Sequence, residues 1–271
     1  MRSFLAFLTG LIAIVAIVAA LPLTWVKERV IEERGFQATA TKMGESPQVR
    51  EYMAKTITDE ITKRTAGAAA VVVRPAADRY THSAGFTADF VDLANQQHAW
   101  LFNEAPPGAD TTVMRLDLTN MVRRVAGQVN PVLARQVPGP ILVPISQRDQ
   151  ALEAGRYHVP GRQISQWAYA SVALAALAAM LALFFARRRS GMLAWLGFGG
   201  LLSAAVSYAG GFFFAARAKD EFTVTDAGVR QVAEVTIDGL VDNLHQWAMV
   251  VGGVGAALLV VGLLGRVIVG D

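Results

Sequence analysis

The clearest pattern in the chain is a set of four apolar segments that contain no Asp, Glu, Lys, Arg or His. They cover residues 4–26, 167–186, 192–216 and 247–265. Each is about 20 residues or longer, which is enough for an α-helix to cross the hydrocarbon core of a bilayer. The sequence therefore predicts an α-helical membrane protein with four transmembrane helices.

The first segment also resembles a secretory signal, because small residues in IVAALPLTW offer a cleavage point. Its N-terminal region carries one basic residue, Arg2, and its apolar run extends to Trp25, which suits the membrane–water interface. The length of the run favours an uncleaved anchor over a signal peptide.

Charge between the segments predicts the orientation. Arg187, Arg188 and Arg189 fill the short connection between the second and third segments, and short basic loops stay in the cytoplasm. This predicts a multi-pass protein of the cell membrane with both termini in the cytoplasm. The basic residues that follow the first segment oppose this orientation, but they open a long segment, and long translocated domains largely escape the charge rule.

This topology divides the chain into five parts. They are an N-terminal anchor (1–26), an extracytoplasmic domain (27–166), a transmembrane hairpin (167–216), an extracytoplasmic helix (217–246) and a C-terminal transmembrane helix with a short tail (247–271).

We expect the extracytoplasmic domain to be mostly helical. One helix has Ser46 as its N-cap, Pro47 in its first turn and Gly67 as its expected end. Its apolar positions recur every fourth residue, at Val49, Met53, Ile57 and Ile61.

A small β element is predicted later in the same domain. TTVMRLDLT alternates like a half-buried strand, and PGPILVPIS is a second short strand in which Pro144 favours a sheet edge. The segment between them is helical, with a break at Asn130 and Pro131.

The external segment before the last span predicts another helix, with Asp226 as its N-cap. Its apolar positions at three- and four-residue spacing are Val229, Val232, Ala233, Ile237, Leu240, Leu244 and Trp247. We expect this helix to continue unbroken into the membrane, and the two external parts to form one folded unit.

Small residues recur at four-residue spacing within the spans. They are Gly199, Ser203, Ser207 and Gly211 in the third span, Gly252 with Ala256 and Gly253 with Ala257 in the fourth, and Ser171, Ala175, Ala179 and Ala182 in the second. Such faces serve either helix packing or a lipid or substrate groove, and we favour packing because small residues let backbones approach closely.

The stretch SAGFTADFVDLANQQHAWLFN, residues 83–103, raises the question of catalysis. As a helix over 86–102, with Ser83 as an N-cap candidate, it has an apolar stripe formed by Phe86, Phe90, Leu93, Gln97 and Leu101. His98 lies at the edge of that stripe. Asp89 and Asp92 point away from His98, which predicts a solvated face and a structural histidine.

Composition excludes several kinds of chemistry. The chain is 53% hydrophobic and 17% charged, and it has no cysteine, so disulfides, thiolate nucleophiles and cysteine-based metal sites are excluded. A net charge of +3 gives no support for nucleic-acid binding. The dispersed histidines support no metal site, and we expect no cofactor. Spans without ionisable groups disfavour a proton-coupled transporter.

Several short motifs resemble a group of uncharacterised four-span integral membrane proteins of actinobacteria. They are Phe36 with Thr39, Pro47 with Val49, the pattern of Ser83, Phe86, Phe90 and His98, and the helix before the last span. The resemblance implies one span, an extracytoplasmic domain, a two-span hairpin and a final span. Phe90 stands where the group favours tryptophan, and Ala94 stands where it favours asparagine.

These observations favour a non-enzymatic cell-envelope protein that presents its external helical domain to a protein partner, a lipid or a wall polymer. The first alternative is a subunit of an oligomeric transporter or channel, with a path lined by Ser171, Ser203, Ser207 and Tyr208. The second is an envelope enzyme that uses His98 with acids from another helix. Membrane lipid and a second copy of the chain are the other expected partners.

Overall fold

The structure, a computed structural model, describes residues 2–64, 70–105, 107–108, 110–137, 139–146, 153–221 and 227–268. In chain order, the described helices are α1 (Arg2–Val26), α2 (Glu33–Glu45), α3 (Pro47–Arg64), α4 (Ala70–Thr81), α5 (Ala84–Phe102), α6 (Thr119–Val129), α7 (Pro131–Gln136), α8 (His158–Phe185), α9 (Arg189–Glu221) and α10 (Ala227–Ile268). The strands are β1 (Val113–Asp117) and β2 (Leu142–Ser146), and a π-helical turn, Lys27–Ile31, follows α1.

The chain forms two compact units. The four-helix unit comprises Met1–Ile31, Arg162–Glu221 and Ile237–Asp271. The mixed unit, which contains the sheet, comprises Glu32–Gly161 and Phe222–Thr236.

Within the described part of the chain, four helices are long and apolar enough to cross a membrane. They are Arg2–Ile31, His158–Phe185, Arg189–Asp220 and Arg230–Ile268. The predicted apolar segments lie within them, except that Ala186 follows the end of α8. The prediction of four helices with the length and apolarity of membrane spans is therefore confirmed.

Helix α1 contacts each of the other three helices in the core of the four-helix unit. Its Ala13 packs in one buried cluster with Ala178 of α8 and Leu196 of α9. Further along, Trp25 packs with Leu244 of α10 in a second cluster. Small side chains on α1 and α8 allow this close packing, which rests on van der Waals contact when lipid surrounds the helices.

The core of the mixed unit comes from α3, α4, α5 and α6. Its buried residues are Ala54, Ile57, Ala76, Ala77, Tyr80, Phe86, Met121 and Val125. The predicted apolar stripe of α3 is confirmed, because Val49 and Ile57 are buried and Met53 and Ile61 pack against this core.

Two features at the ends of α3 concern the predicted cap and stop. Ser46 directly precedes the helix, and its hydroxyl donates to the side-chain Oε1 of Gln48 at 2.7 Å. This described bond differs from the predicted cap of a backbone N–H. Gly67, the predicted end, lies outside the described residues.

The two strands form the predicted β element. They pair antiparallel, with Met114 opposite Ile145 and Pro144 opposite Arg115. Met114 and Leu116 are buried while Arg115 and Asp117 are exposed, which confirms the alternating pattern. Pro144 is compatible with this position because each strand of a two-stranded sheet has a free edge.

Side-chain hydrogen bonds position the elements that flank β1. Gln96 of α5 accepts from the backbone N–H of Asp117 at 2.8 Å and so ties the helix to the strand end. Thr119 donates two hydrogen bonds to the carboxylate of Asp117, one from its hydroxyl and one from its backbone N–H. These bonds lower the pKa of Asp117. The resulting anion stabilises the N-terminus of α6.

The predicted break after α6 is confirmed. Helix α6 ends at Val129, and Asn130 accepts a hydrogen bond from the backbone N–H of Val132 at 2.8 Å, which caps α7. Pro131 takes the first position of α7, where a missing N–H costs nothing.

Helix α10 runs without a break from Ala227 to Ile268, which confirms the predicted continuous helix. The predicted N-cap, Asp226, lies outside the described residues.

Candidate functional site

His98 lies in a stack of aromatic rings in the mixed unit. Its ring centroid is 4.6 Å from that of Phe102, one turn later on α5, and 4.5 Å from that of Phe36 on α2. Phe102 in turn contacts Tyr157. His98 is 7% exposed, because the Phe36 and Phe102 rings cover its imidazole.

The stack brings together two motifs that are distant in sequence. Phe36 belongs to the Phe36–Thr39 pattern, and His98 belongs to the pattern that starts at Ser83. Gly44 and Phe90 make a second contact between the same helices, since a Cβ on Gly44 would lie 3.1 Å from the Phe90 ring. These residues therefore hold α2 against α5.

Ser83 occupies the predicted N-cap position of α5, with extended backbone dihedral angles. Its hydroxyl donates to the backbone carbonyl of Tyr80 at 2.7 Å and makes no capping bond to α5. The prediction of a side-chain cap is therefore wrong, because the Ser83 hydroxyl bonds to the preceding turn of α4 instead. Ser83 contacts Tyr80, whereas His98 contacts Phe36 and Phe102, so the described contacts do not bring Ser83 and His98 together.

Asp89 is the main correction to the sequence interpretation of α5. It is 8% exposed, and one of its oxygens, Oδ2, accepts from the Tyr80 hydroxyl and pairs with Arg124 Nε, both at 2.7 Å. The prediction of a solvated Asp89 is wrong, because α4 and α6 cover this side of the helix. Asp92 is exposed as predicted and accepts from Gln96.

The chemistry of this Tyr80–Asp89–Arg124 cluster is structural. Burial, followed by the hydrogen bond with Asp89, raises the pKa of Tyr80 far above its ordinary value. The Tyr80 hydroxyl therefore stays protonated and donates to the carboxylate, and Arg124 supplies the balancing charge. The sequence contained a signal for the burial of Asp89, because this residue lies three positions after Phe86 and one before Phe90.

Gln97 was predicted to belong to the apolar stripe of α5 but is exposed. The core that buries Phe86 and packs against Phe90 and Leu93 does not include the following turn of the helix. A second buried side of α5 contacts α2, through Phe90 against Gly44 and His98 against Phe36. The helix therefore has two buried faces rather than one straight stripe.

The small-residue seam of α9 contacts two helices of the four-helix unit. Gly199 lies against Ile14 of α1, and Ser203 is 0% exposed, with its hydroxyl donating to the Ile17 carbonyl at 3.0 Å. Ser207 is also buried. Gly211 lies instead against His245 of α10.

Substitution of Ser203 tests the contact with α1. We expect Ser203→Ala to cost about 0.6 kcal/mol, the average for hydrogen bonds between membrane helices. Ser207→Ala is the matched control, because the buried Ser207 hydroxyl has no hydrogen-bond partner among the described residues, and its removal should not destabilise the protein. Thermal unfolding of both variants in detergent checks this, and equal losses would contradict it.

Sequence reasoning missed the closest approach of α9 and α10. A Cβ on Gly197 would lie 2.6 Å from the Gly255 carbonyl, and one on Gly262 would lie 2.6 Å from the Ser190 carbonyl. Gly200 also lies against Gly255. The available signal was a pair of glycines seven residues apart, Gly255 and Gly262, which lie on the same helix face.

Of the two predicted small-residue faces of α10, one lies against α9 and the other is exposed. Gly252 lies near Ala204 of α9, and Ala256 is half-buried. Gly253 and Ala257 are exposed, so the described part of the chain does not bury this predicted face. They lie on the opposite side of α10 from the glycines that contact α9.

The proposed transport-path residues do not share one surface. Ser171 is buried on α8, and its hydroxyl donates to the carbonyl of Ala168 in the same helix. Ser203 is bonded to α1, whereas Tyr208 is 43% exposed. Ala182 of the predicted α8 face is fully buried, and Ala175 and Ala179 are half-buried.

One end of the four-helix unit carries aromatic and charged side chains in contact. Trp25 donates to Asn243 of α10 at 3.1 Å. Lys27, in the π-helical turn, pairs with Glu28 at 2.7 Å and lies 4.6 Å from the Tyr169 ring centroid. These side chains suit a membrane–water interface, where apolar bodies meet polar groups.

Metal coordination finds no support in the described parts of the chain, where no three His, Cys, Asp or Glu side chains converge. The chain matches no protein-family model, no curated protein and no solved structure. The resemblance to actinobacterial membrane proteins therefore stays a prediction.

Proposed function

We propose that this chain is a non-enzymatic protein of the cell envelope. In this proposal the four-helix unit anchors it in the cell membrane with both termini in the cytoplasm, and the mixed unit lies outside the cytoplasm and binds a partner. The basic connection that contains Arg187 and Arg188, which is short in the structure, supports this orientation.

One observation carries the proposal. The three side chains that the sequence singled out for possible catalysis make internal contacts: His98 stacks with two rings, Ser83 binds the Tyr80 carbonyl, and Asp89 binds Tyr80 and Arg124. A catalytic residue needs access to substrate as well as suitable chemistry. These three residues stabilise the fold of the mixed unit, and this suits a unit that presents its surface to a partner.

The mixed unit also exposes apolar side chains for such a role. Val71 of α4 is 86% exposed, and Val72 and Val132 are exposed as well. Water contact with these side chains is unfavourable, and a bound partner would remove it.

Photo-crosslinking in cells tests the proposal. A photoreactive amino acid is placed at Val71 or Val132 in the mixed unit, and at Phe213 or Val267, which are also apolar and exposed but belong to the four-helix unit. We expect a specific adduct at Val71 or Val132 that Phe213 and Val267 do not give. Affinity purification and mass spectrometry distinguish a protein adduct from a lipid or polymer adduct.

The alternative function is a subunit of an oligomeric transporter or channel. The exposed Gly253 and Ala257 favour it, because small residues let a helix of a second copy approach closely. Adducts of the chain with itself at Phe213 or Val267, with none at Val71 or Val132, would support this alternative and overturn the first proposal. Substrate flux in liposomes would then be the next measurement.

A further inference from the structure

A recess of about 550 Å³ lies in the four-helix unit where α1 begins and where α8 connects to α9. Its lining includes Phe7, Arg187, Arg188, Gly191, Met192 and Trp195. The structure describes all of them. The recess therefore combines a basic connection with an apolar wall.

The apolar wall is built by close contact between α1 and α9. A Cβ on Gly10 would lie 3.2 Å from Met192 Sδ and 3.2 Å from Trp195 Cδ1, so these side chains cover α1 at this point. Phe7, one turn earlier on α1, is 57% exposed. Gly191 has no atom within 4 Å of its Cβ position, which keeps the recess open near the arginines.

Among the described residues, the lining of the recess carries positive charge only. Arg187 and Arg188 are exposed, and none of the lining residues is acidic. Lys27, at the aromatic end of the same unit, differs because it is buried and has a carboxylate partner in Glu28. A guanidinium group binds phosphate oxygens through paired N–H donors, which makes the recess suited to a phosphate ester.

We propose that this recess binds an anionic phospholipid. Its phosphate contacts Arg187 and Arg188, and an acyl chain lies along Phe7, Met192 and Trp195. A soluble phosphate compound would satisfy only the arginines, whereas a phospholipid satisfies both the basic and the apolar part of the lining. Basic pockets beside membrane helices bind anionic head groups by the same combination. The proposal rests on the membrane location of the four-helix unit, which is one part of the proposed function, and not on the partner of the mixed unit.

Tryptophan quenching tests the site directly. The full-length protein is placed in phosphatidylcholine vesicles that contain a minor fraction of either brominated phosphatidylglycerol or brominated phosphatidylcholine. The signal of Trp195 is the difference between the wild-type protein and Trp195→Phe. We expect a preference on the order of tenfold for the anionic lipid at Trp195, since each of the two arginines contributes roughly a fivefold attraction.

Two double variants separate the site from general charge attraction. R187Q/R188Q should abolish the preference. R162Q/R266Q removes the same charge from exposed arginines outside the recess and should keep the preference. Equal quenching of wild-type Trp195 by the two lipids would overturn the proposal without any variant, as would equal loss in both double variants.

Inorganic phosphate distinguishes the two sources of the anion. If the recess binds the phospholipid as a whole, excess phosphate at constant ionic strength should leave the preference intact. Complete displacement by phosphate alone would identify a site for free phosphate and overturn the assignment to lipid.

Discussion

Asp89→Ala is expected to destabilise the mixed unit by about 3 kcal/mol, at the lower end of the range for breaking a buried ion pair. The substitution leaves the Tyr80 hydroxyl, whose residue is 1% exposed, without its acceptor. Arg124 is half-exposed and regains water, which limits the cost. Hydrogen exchange of the α4 and α5 backbone amides in the full-length protein measures the effect locally.

Asp92→Ala is the matched control, since Asp92 lies on the same helix and is exposed. Its cost should fall within about 0.5 kcal/mol of zero. Tyr80→Phe should cost about 1 kcal/mol, and combining it with Asp89→Ala should cost less than the sum of the two, because both remove the same bond. Equal exchange in the Asp89 and Asp92 variants would show that the buried cluster contributes nothing to stability.

The sequence predicted the elements in which one physical signal dominates. Uninterrupted apolar runs identified the four long helices, since few other structures accommodate them. The alternation of Met114, Arg115, Leu116 and Asp117 identified β1, and Asn130 before Pro131 identified the break after α6. In each case, neighbouring residues in the sequence hold enough information to specify the element.

Helix α4 shows why local signals fail elsewhere. Its sequence, AVVVRPAADRYT, has a run of β-branched residues and an internal Pro75, and both disfavour a helix. Ala76, Ala77 and Tyr80 are nonetheless almost fully buried in the mixed-unit core. The packing of these residues against α3 and α6 overrides the local preference, and no short window of the sequence reports it.

The candidate site was predicted in position but not in its contacts. His98 was correctly placed on a helix, yet its contact with Phe36 joins residues far apart in the chain. Asp89 was misassigned because its partners, Tyr80 and Arg124, come from two other helices. Helical periodicity locates a side chain on one helix only, so contacts with other helices need the fold.

The packing of α9 against α10 gives the second large prediction. Gly197→Ala should destabilise the four-helix unit by about 2 kcal/mol, a typical cost of overpacking a close contact. The added Cβ would lie 2.5 Å from the Leu259 backbone nitrogen and 2.6 Å from the Gly255 carbonyl. Backbone atoms cannot rotate away as a flexible side chain can, so the helices must separate. The thermal midpoint in detergent, at one fixed scan rate, should fall by several degrees.

Gly210→Ala is the matched control on α9, because no atom lies within 4 Å of its Cβ position. Alanine is the better helix former, with an advantage of roughly 1 kcal/mol over glycine in exposed helices, so this variant should be neutral or slightly more stable. The opposite signs of the two changes separate helix packing from helix propensity, since the substitution and the helix are the same in both. If both variants shifted the midpoint in the same direction by the same amount, close approach of α9 and α10 at Gly197 would not be what stabilises the unit.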